Sequence, residues 1–100
     1  MVAYWIGEHA IVNPTKFDEY LRKVIPIIER FGGRYLTRAG THEVLDGDWH
    51  PNRVVVIEFP DMATIRGFYH SPEYQPLIAL RRSAATDVII AVEGSWGQAG

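Results

Sequence analysis

Cysteine is absent from this 100-residue sequence. That excludes disulfides, thiolate metal ligands and a cysteine nucleophile, and it suits a reducing cytoplasm. Long apolar runs are missing too. No stretch approaches the roughly 20 residues of a membrane-spanning helix, and the opening MVAYWIGEHA lacks the basic lead and extended apolar run of an export signal. The expectation is a soluble, cytoplasmic protein with no membrane partner. Charge of one sign is also scarce: 10 Lys and Arg stand against 12 Asp and Glu, a formal charge of -2. With no basic cluster beyond Arg81-Arg82, the electrostatic footprint of a nucleic-acid binder is lacking, and no such partner is expected. There is no G-x-S-x-G elbow, no G-x-x-x-x-G-K phosphate loop and no glycine fingerprint for a dinucleotide. His9, His42, His50 and His70 have no metal-ligand spacing, so neither a metal nor another cofactor is expected.

What is present describes one domain over residues 1–96 with a short tail at 97–100. Residues 2–11 carry the β-branched and aromatic residues of a strand and run into Asn13-Pro14, a helix cap followed by a first-turn proline. Phe17, Leu21, Val24, Ile28 and Phe31 recur at spacings of four and three, the stripe of an amphipathic helix, and Gly32-Gly33 end it. Pro26 lies off that stripe and should bend the helix on its solvent side without breaking the buried face. A second strand is expected from Arg34 to Gly40, continuing through His42 to Leu45, with Asp46-Gly47 as the turn and 48–52 as the loop into a third strand. VVVIEF at 54–59 is apolar at both parities, the mark of a central strand covered on both faces. Asp61 can cap a short helix through Ile65 and Phe68. Ser71-Pro72 begins another turn, and either Ser71 or Gln75 can cap the segment reaching Arg82. Thr86 to Glu93 is the last strand.

The order β, α, β, β, α, β predicts an α+β, ferredoxin-like arrangement with an antiparallel sheet, the first and third strands in the middle and the helices on one face. The more uniformly apolar set Val55, Ile57, Phe59, Val88, Ile90 and Val92 is assigned to the helix face. Tyr4, Ile6, Leu36, Val54, Val56, Ile89 and Ala91 then fall on the open face, which nothing left in this chain covers. An uncovered apolar sheet implies a partner, and the simplest is a second copy about a two-fold axis. Glu8, Arg38, Glu58 and Glu93 share the open parity, so Arg38 is expected to face Glu58, as a structural pair fixing dimer register or as a polar pocket floor.

The segments GGRYLTRAG, LDGDW, RVVVIEFPD, FYHSPEYQPLIALR and the closing VEG resemble, in the right order and over nearly the whole chain, the domain of unknown function 1330 family, a branch of the dimeric α+β barrel superfamily. The resemblance implies a ferredoxin-like protomer whose sheet packs on its twin to form a barrel with interior cavities. It implies no established activity, although superfamily relatives include cofactor-independent monooxygenases, isomerases and haem-degrading enzymes. Ala39 stands where the family has a second glycine after the arginine. A side chain there argues against a positive backbone angle.

Among individual residues, His9 at the end of the first strand is a candidate general base, and Glu58 is a second candidate for handling a proton. Arg38, Tyr69, Tyr74 and Arg81 are candidates for ligand binding. Each has a structural alternative: Tyr69 and Tyr74 as core aromatics with hydroxyls on backbone groups, Arg81 as a cation favouring its helix C-terminus. Trp49 is loop packing or a pocket lid, and Trp5 is core or interface. Two functions follow: a protein acting on or binding a small anionic or aromatic metabolite in a cavity beside the sheet, or a non-catalytic dimeric binding or stress-associated module with a structural polar interior.

Overall fold

The computed structural model of the chain describes residues 1–94; the expected tail at 97–100 and the end of the expected domain, 95–96, lie outside the described residues. The elements are β1 (Ala3–Ile11), α1 (Pro14–Arg30), β2 (Arg34–Arg38), β3 (Val54–Phe59), α2 (Met62–Tyr69), α3 (Gln75–Ala84) and β4 (Ala85–Glu93). The strands form one antiparallel four-stranded sheet in the order β2-β3-β1-β4, with the helices on one face. The fold is ferredoxin-like, with the second helical segment split in two. Among the described residues no helix is long and apolar enough to cross a membrane.

Local chemistry explains the elements. The Asn13 side chain accepts from the Lys16 N–H at 3.0 Å, and Pro14 opens α1 where no intrahelical donor is needed. Phe17, Tyr20, Val24, Ile27 and Ile28 form its buried stripe, while Pro26 is exposed and the helix runs on through it. Asp61 caps α2 through the Thr64 N–H at 2.7 Å. Ser71 fastens the turn between α2 and α3: its hydroxyl donates to the Phe68 carbonyl at 2.8 Å and accepts from the Tyr74 N–H at 3.2 Å. Gln75 is the first residue of α3 and does not cap it; its amide donates to the Tyr69 carbonyl at 2.7 Å.

Three expectations are corrected. First, β2 ends at Arg38, and 42–45 are exposed loop. Gly47 does take a positive φ of 92°, and Ala39 takes one of 59° despite its side chain, at a cost of about 1–2 kcal/mol. That turn brings the Ala39 N–H to the Val54 carbonyl at 3.3 Å. Second, a register shift between Tyr35 and Thr37 puts Arg34 opposite Glu58 and Arg38 opposite Val55. Glu58 therefore pairs with Arg34 at 2.9 Å, not with Arg38, whose guanidinium lies 4.8 Å over the Tyr35 ring. Third, β4 has the opposite parity to that expected. Val92, Ile90 and Val88 pair with Tyr4, Ile6 and Glu8 on the open face, whereas Ala85, Asp87, Ile89, Ala91 and Glu93 share the helix-facing parity. A strand apolar on both sides carries no signal of its own orientation. Here the orientation is set by α3, which enters β4 at Ala84-Ala85 without a loop, both residues being buried.

Gly33 shows how close α1 lies to β3: a Cβ there would stand 2.7 Å from Ile28 Cγ2 and 2.9 Å from Phe59 Cε1. Gly33→Ala is expected to destabilise the fold by about 1–3 kcal/mol, read as a lower midpoint in urea denaturation with an unchanged slope.

Candidate functional site

The central strand β1 points Ala3, Trp5, Gly7 and His9 at the helices, and all four are buried. His9 therefore ends up inside rather than at an open strand end. Its Nδ1 lies 2.5 Å from Asp87 Oδ1 on the neighbouring strand β4, and the two side chains are only 5% and 6% exposed. The other carboxylate oxygen accepts from Arg81 Nε at 3.1 Å. Arg81 Nη1 donates to the Tyr74 hydroxyl at 2.7 Å, which shares a hydrogen bond with the Tyr20 hydroxyl at 2.9 Å. One continuous polar chain thus links β1, β4, α3 and α1 through the interior.

Its protonation states follow from burial. Desolvation lowers the His9 pKa, outweighing the opposing pull of Asp87, while the nearby Arg81 and Arg53 cations push the same way as burial. Tyr20 is held well above the ordinary tyrosine value and Tyr74 is also raised, both chiefly by desolvation, so both remain hydroxyls. Burial likewise pushes Tyr35 up to about 12.

A cavity of about 640 Å³ opens between α2, α3 and β4, within the range of small-molecule sites. Trp5, Met62, Ile65, Tyr69 and Ile89 give it an apolar and aromatic wall; Asp87 and Arg81 give it a polar one; the exposed Arg66, His70 and Arg82 stand around it. A second, much smaller cavity of about 20 Å³ lies under α1 and is lined by Trp5, His9, Tyr20, Tyr35 and Arg53, among others. Trp5 belongs to both, and the His9–Asp87 pair stands between them.

Of the residues singled out from sequence, Arg81, Tyr69 and His9 gather here, with Tyr74 directly behind. Tyr74 is fully buried, and its hydroxyl bonds to Arg81 and Tyr20, not to backbone. The Arg81 guanidinium is engaged by Asp87 rather than by its helix end alone. Arg38 and Glu58 lie outside the large cavity. Trp49 is exposed; its indole N–H donates to Glu8 at 3.0 Å over the open sheet face, where it lines a cavity of about 260 Å³ with Ile6, Val88 and Ile90. His42, His50 and His70 are exposed. Sequence reasoning passed over Asp87, Gly7, Arg66 and Arg82. Asp87 carried a readable signal, as the one acid inside the apolar run TDVIIAV. Among the described residues no group of three or more His, Asp or Glu is placed to hold a metal ion.

The lowered His9 pKa sets a pH dependence. Above the unfolded value of about 6.5 both states are neutral and stability is level. As pH falls from there through the lower folded value, the unfolded chain takes up the proton more readily, and stability drops. Urea midpoints measured between pH 8 and 5 should fall on the acid side, and His9→Gln should remove the part of that slope centred below pH 6.5.

The fold recurs in solved structures of low sequence identity. A protein of unknown function from Rhodopseudomonas palustris superposes with a TM-score of 0.78 at 18% identity, covering 95% of this chain and 83% of that one. SnoaB, a cofactor-independent oxygenase from Streptomyces nogalater, gives 0.66 at 15% identity, covering 95% and 94%. A dimeric ferredoxin-like protein of unknown function from Jannaschia sp. CCS1 gives 0.62 at 10% identity, covering 93% and 99%. None of the curated proteins matches the sequence. Residues 2–95 match the domain of unknown function DUF1330, and the chain belongs to that family.

Proposed function

We propose that the protein is a homodimer that binds a small anionic molecule with an aromatic or apolar body in the cavity between α2, α3 and β4. The observation that carries this reading is the cavity's division of labour. Trp5, Tyr69, Met62 and Ile65 offer a flat, apolar wall, while Arg66 and Arg82, neither in an ion pair among the described residues, supply charge at its edge. Guanidinium groups match carboxylates in a bidentate way, and an aromatic wall suits a ring. The oxygenase of like fold supports small-molecule chemistry on this scaffold by analogy only.

A second reading, a non-catalytic dimeric module whose polar interior is structural, is favoured by one feature. The chain from His9 to Tyr20 is mutually satisfied without any ligand. Proton NMR of the Trp5 indole separates the two. Benzoate should shift that signal in a saturable way and bind at least about tenfold more tightly than neutral benzamide, since a charge-assisted hydrogen bond contributes about 1.5–3 kcal/mol. The paired substitutions Arg66→Gln and Arg82→Gln should abolish the preference. Equal binding of both probes, or no shift with either, favours the structural module.

The dimer reading rests on the open sheet face. Val88, Ile90 and Val92 are 62%, 52% and 41% exposed there, beside Tyr4, Ile6, Val54 and Val56 of the same face. Relatives from Jannaschia and Thermobifida fusca are described as dimeric. Light scattering at micromolar concentration should give twice the 11.4 kDa of one chain, and Val88→Lys should give a folded monomer. A wild-type monomer would rule the dimer out.

A further inference from the structure

The sheet edge remote from the large cavity holds two arginines without a counter-ion. The strand order puts β2 and β3 on one side of β1 and β4 on the other. Arg38 on β2 stands opposite Val55, which is buried beneath the helices, and Arg53 precedes Val55 by two residues, so the two arginines are diagonal neighbours on the helix face. Diagonal positions across an antiparallel pair lie about 7–8 Å apart, within reach of long side chains. Neither arginine is in an ion pair among the described residues, whereas Arg34 on the same strand has Glu58.

Backbone irregularity puts Arg38 there. In a regular strand Tyr35 and Arg38 would point to opposite faces, but the register shift between Tyr35 and Thr37 brings the guanidinium over the Tyr35 ring. Bulges re-aim side chains in this way beside functional sites. Arg53 is fixed from its own end. Its carbonyl accepts from the His9 N–H at 2.9 Å and its guanidinium lies 5.2 Å from the centre of the Phe17 ring, yet its buried Nε has no hydrogen-bond partner. Stacking on a ring leaves the in-plane N–H donors unmatched, and a buried donor without an acceptor is costly. Burial lowers the Arg53 pKa and the Arg38 charge pushes the same way, so the two cations lie in each other's field. Tyr35 stands between them: it lines the small cavity together with Arg53, and a groove of about 190 Å³ together with Arg38. Glu29 is the carboxylate lining that groove, and it is in no ion pair among the described residues.

We propose that Arg38, Arg53 and Tyr35 form a second binding site, for a phosphate group seated in the groove of about 190 Å³ between α1 and β2. Arg38 meets the phosphate from the strand end. Arg53 turns its Nε–H from the Phe17 ring toward the anion, which exchanges an unmatched donor for a charged acceptor, and the Tyr35 hydroxyl donates between them. Two uncompensated guanidinium charges complement a dianion with several acceptor oxygens better than a carboxylate, which brings one charge and two oxygens. The phosphate can be the free ion or the end of a phosphate monoester. This site lies across the sheet from the cavity between α2, α3 and β4 and does not rest on the binding reading above.

Carbon-detected NMR of the arginine Nε–Cζ pairs in the uniformly labelled full chain at pH 7.5 tests the site. Inorganic phosphate, titrated at constant ionic strength against chloride, should shift the Arg38 and Arg53 signals together and to saturation, with the Glu58-paired Arg34 responding less. Arg38→Gln should weaken phosphate binding at least about tenfold, and so should Arg53→Lys, which keeps the charge but removes the guanidinium donors. Backbone spectra of both variants report whether the fold is kept. Arg22→Gln, which removes a charge from the exposed face of α1, should leave the affinity unchanged. Tighter binding of phenyl phosphate than of inorganic phosphate supports the site as one for monoesters, and equal affinity supports it as one for the free ion. Shifts that grow linearly without saturating, equal shifts with chloride alone, or a loss in Arg22→Gln as large as in Arg38→Gln would overturn the site. If both arginine variants lose the fold, saturable Arg38 and Arg53 shifts in the wild-type chain still decide the question.

Discussion

One carboxylate fixes the interior. Asp87 is held between an imidazole from β1 and a guanidinium from α3, and each of the three side chains is at most 6% exposed. Burying such groups costs several kcal/mol per charge, recovered only when geometry is good and every remaining donor is matched. The requirement spreads outward. Arg81 needs a further acceptor and finds Tyr74; Tyr74 then needs Tyr20, which is on α1. A single anion on the last strand thereby specifies how both long helices sit on the sheet, and truncating one partner of such a pair characteristically costs about 3–5 kcal/mol.

The aromatic core meets the polar chain at Tyr74. Its ring lies 4.5 Å from Phe68 and 6.1 Å from Trp5, with the Trp5–Phe68 pair edge-on at 5.5 Å. One face of the residue thus belongs to hydrophobic packing and its hydroxyl to the ion-pair chain. This dual membership explains why the large cavity has one apolar and one polar wall. The two kinds of interior meet along Trp5, Arg81 and Asp87, and the cavity opens along that seam.

Much of this was legible in the sequence. The element order, the capping at Asn13 and Asp61, the central position of β3 and the family resemblance all followed from local rules that the structure obeys. The site was less legible because its assembly depends on strand registers, which sequence patterns encode weakly. One irregular residue between Tyr35 and Thr37 moved Arg38 away from Glu58. The apolar run VIIAV fits either face, so no local pattern singled out Asp87 as the buried partner of His9. Ala39 entered a left-handed turn that its side chain disfavours because the strand end and its bond to Val54 require it. In each case long-range pairing overrode a local preference.

The direct passage from α3 into β4 has a mechanical meaning. With no loop between them, helix and strand have no slack to absorb movement separately. Successive residues of β4 also look in opposite directions: Asp87 and Ile89 line the cavity, while Val88 and Val92 lie on the outer side of the sheet. Any displacement of α3 is therefore transmitted directly to β4, and the strand is a shared wall of the cavity and the outer surface.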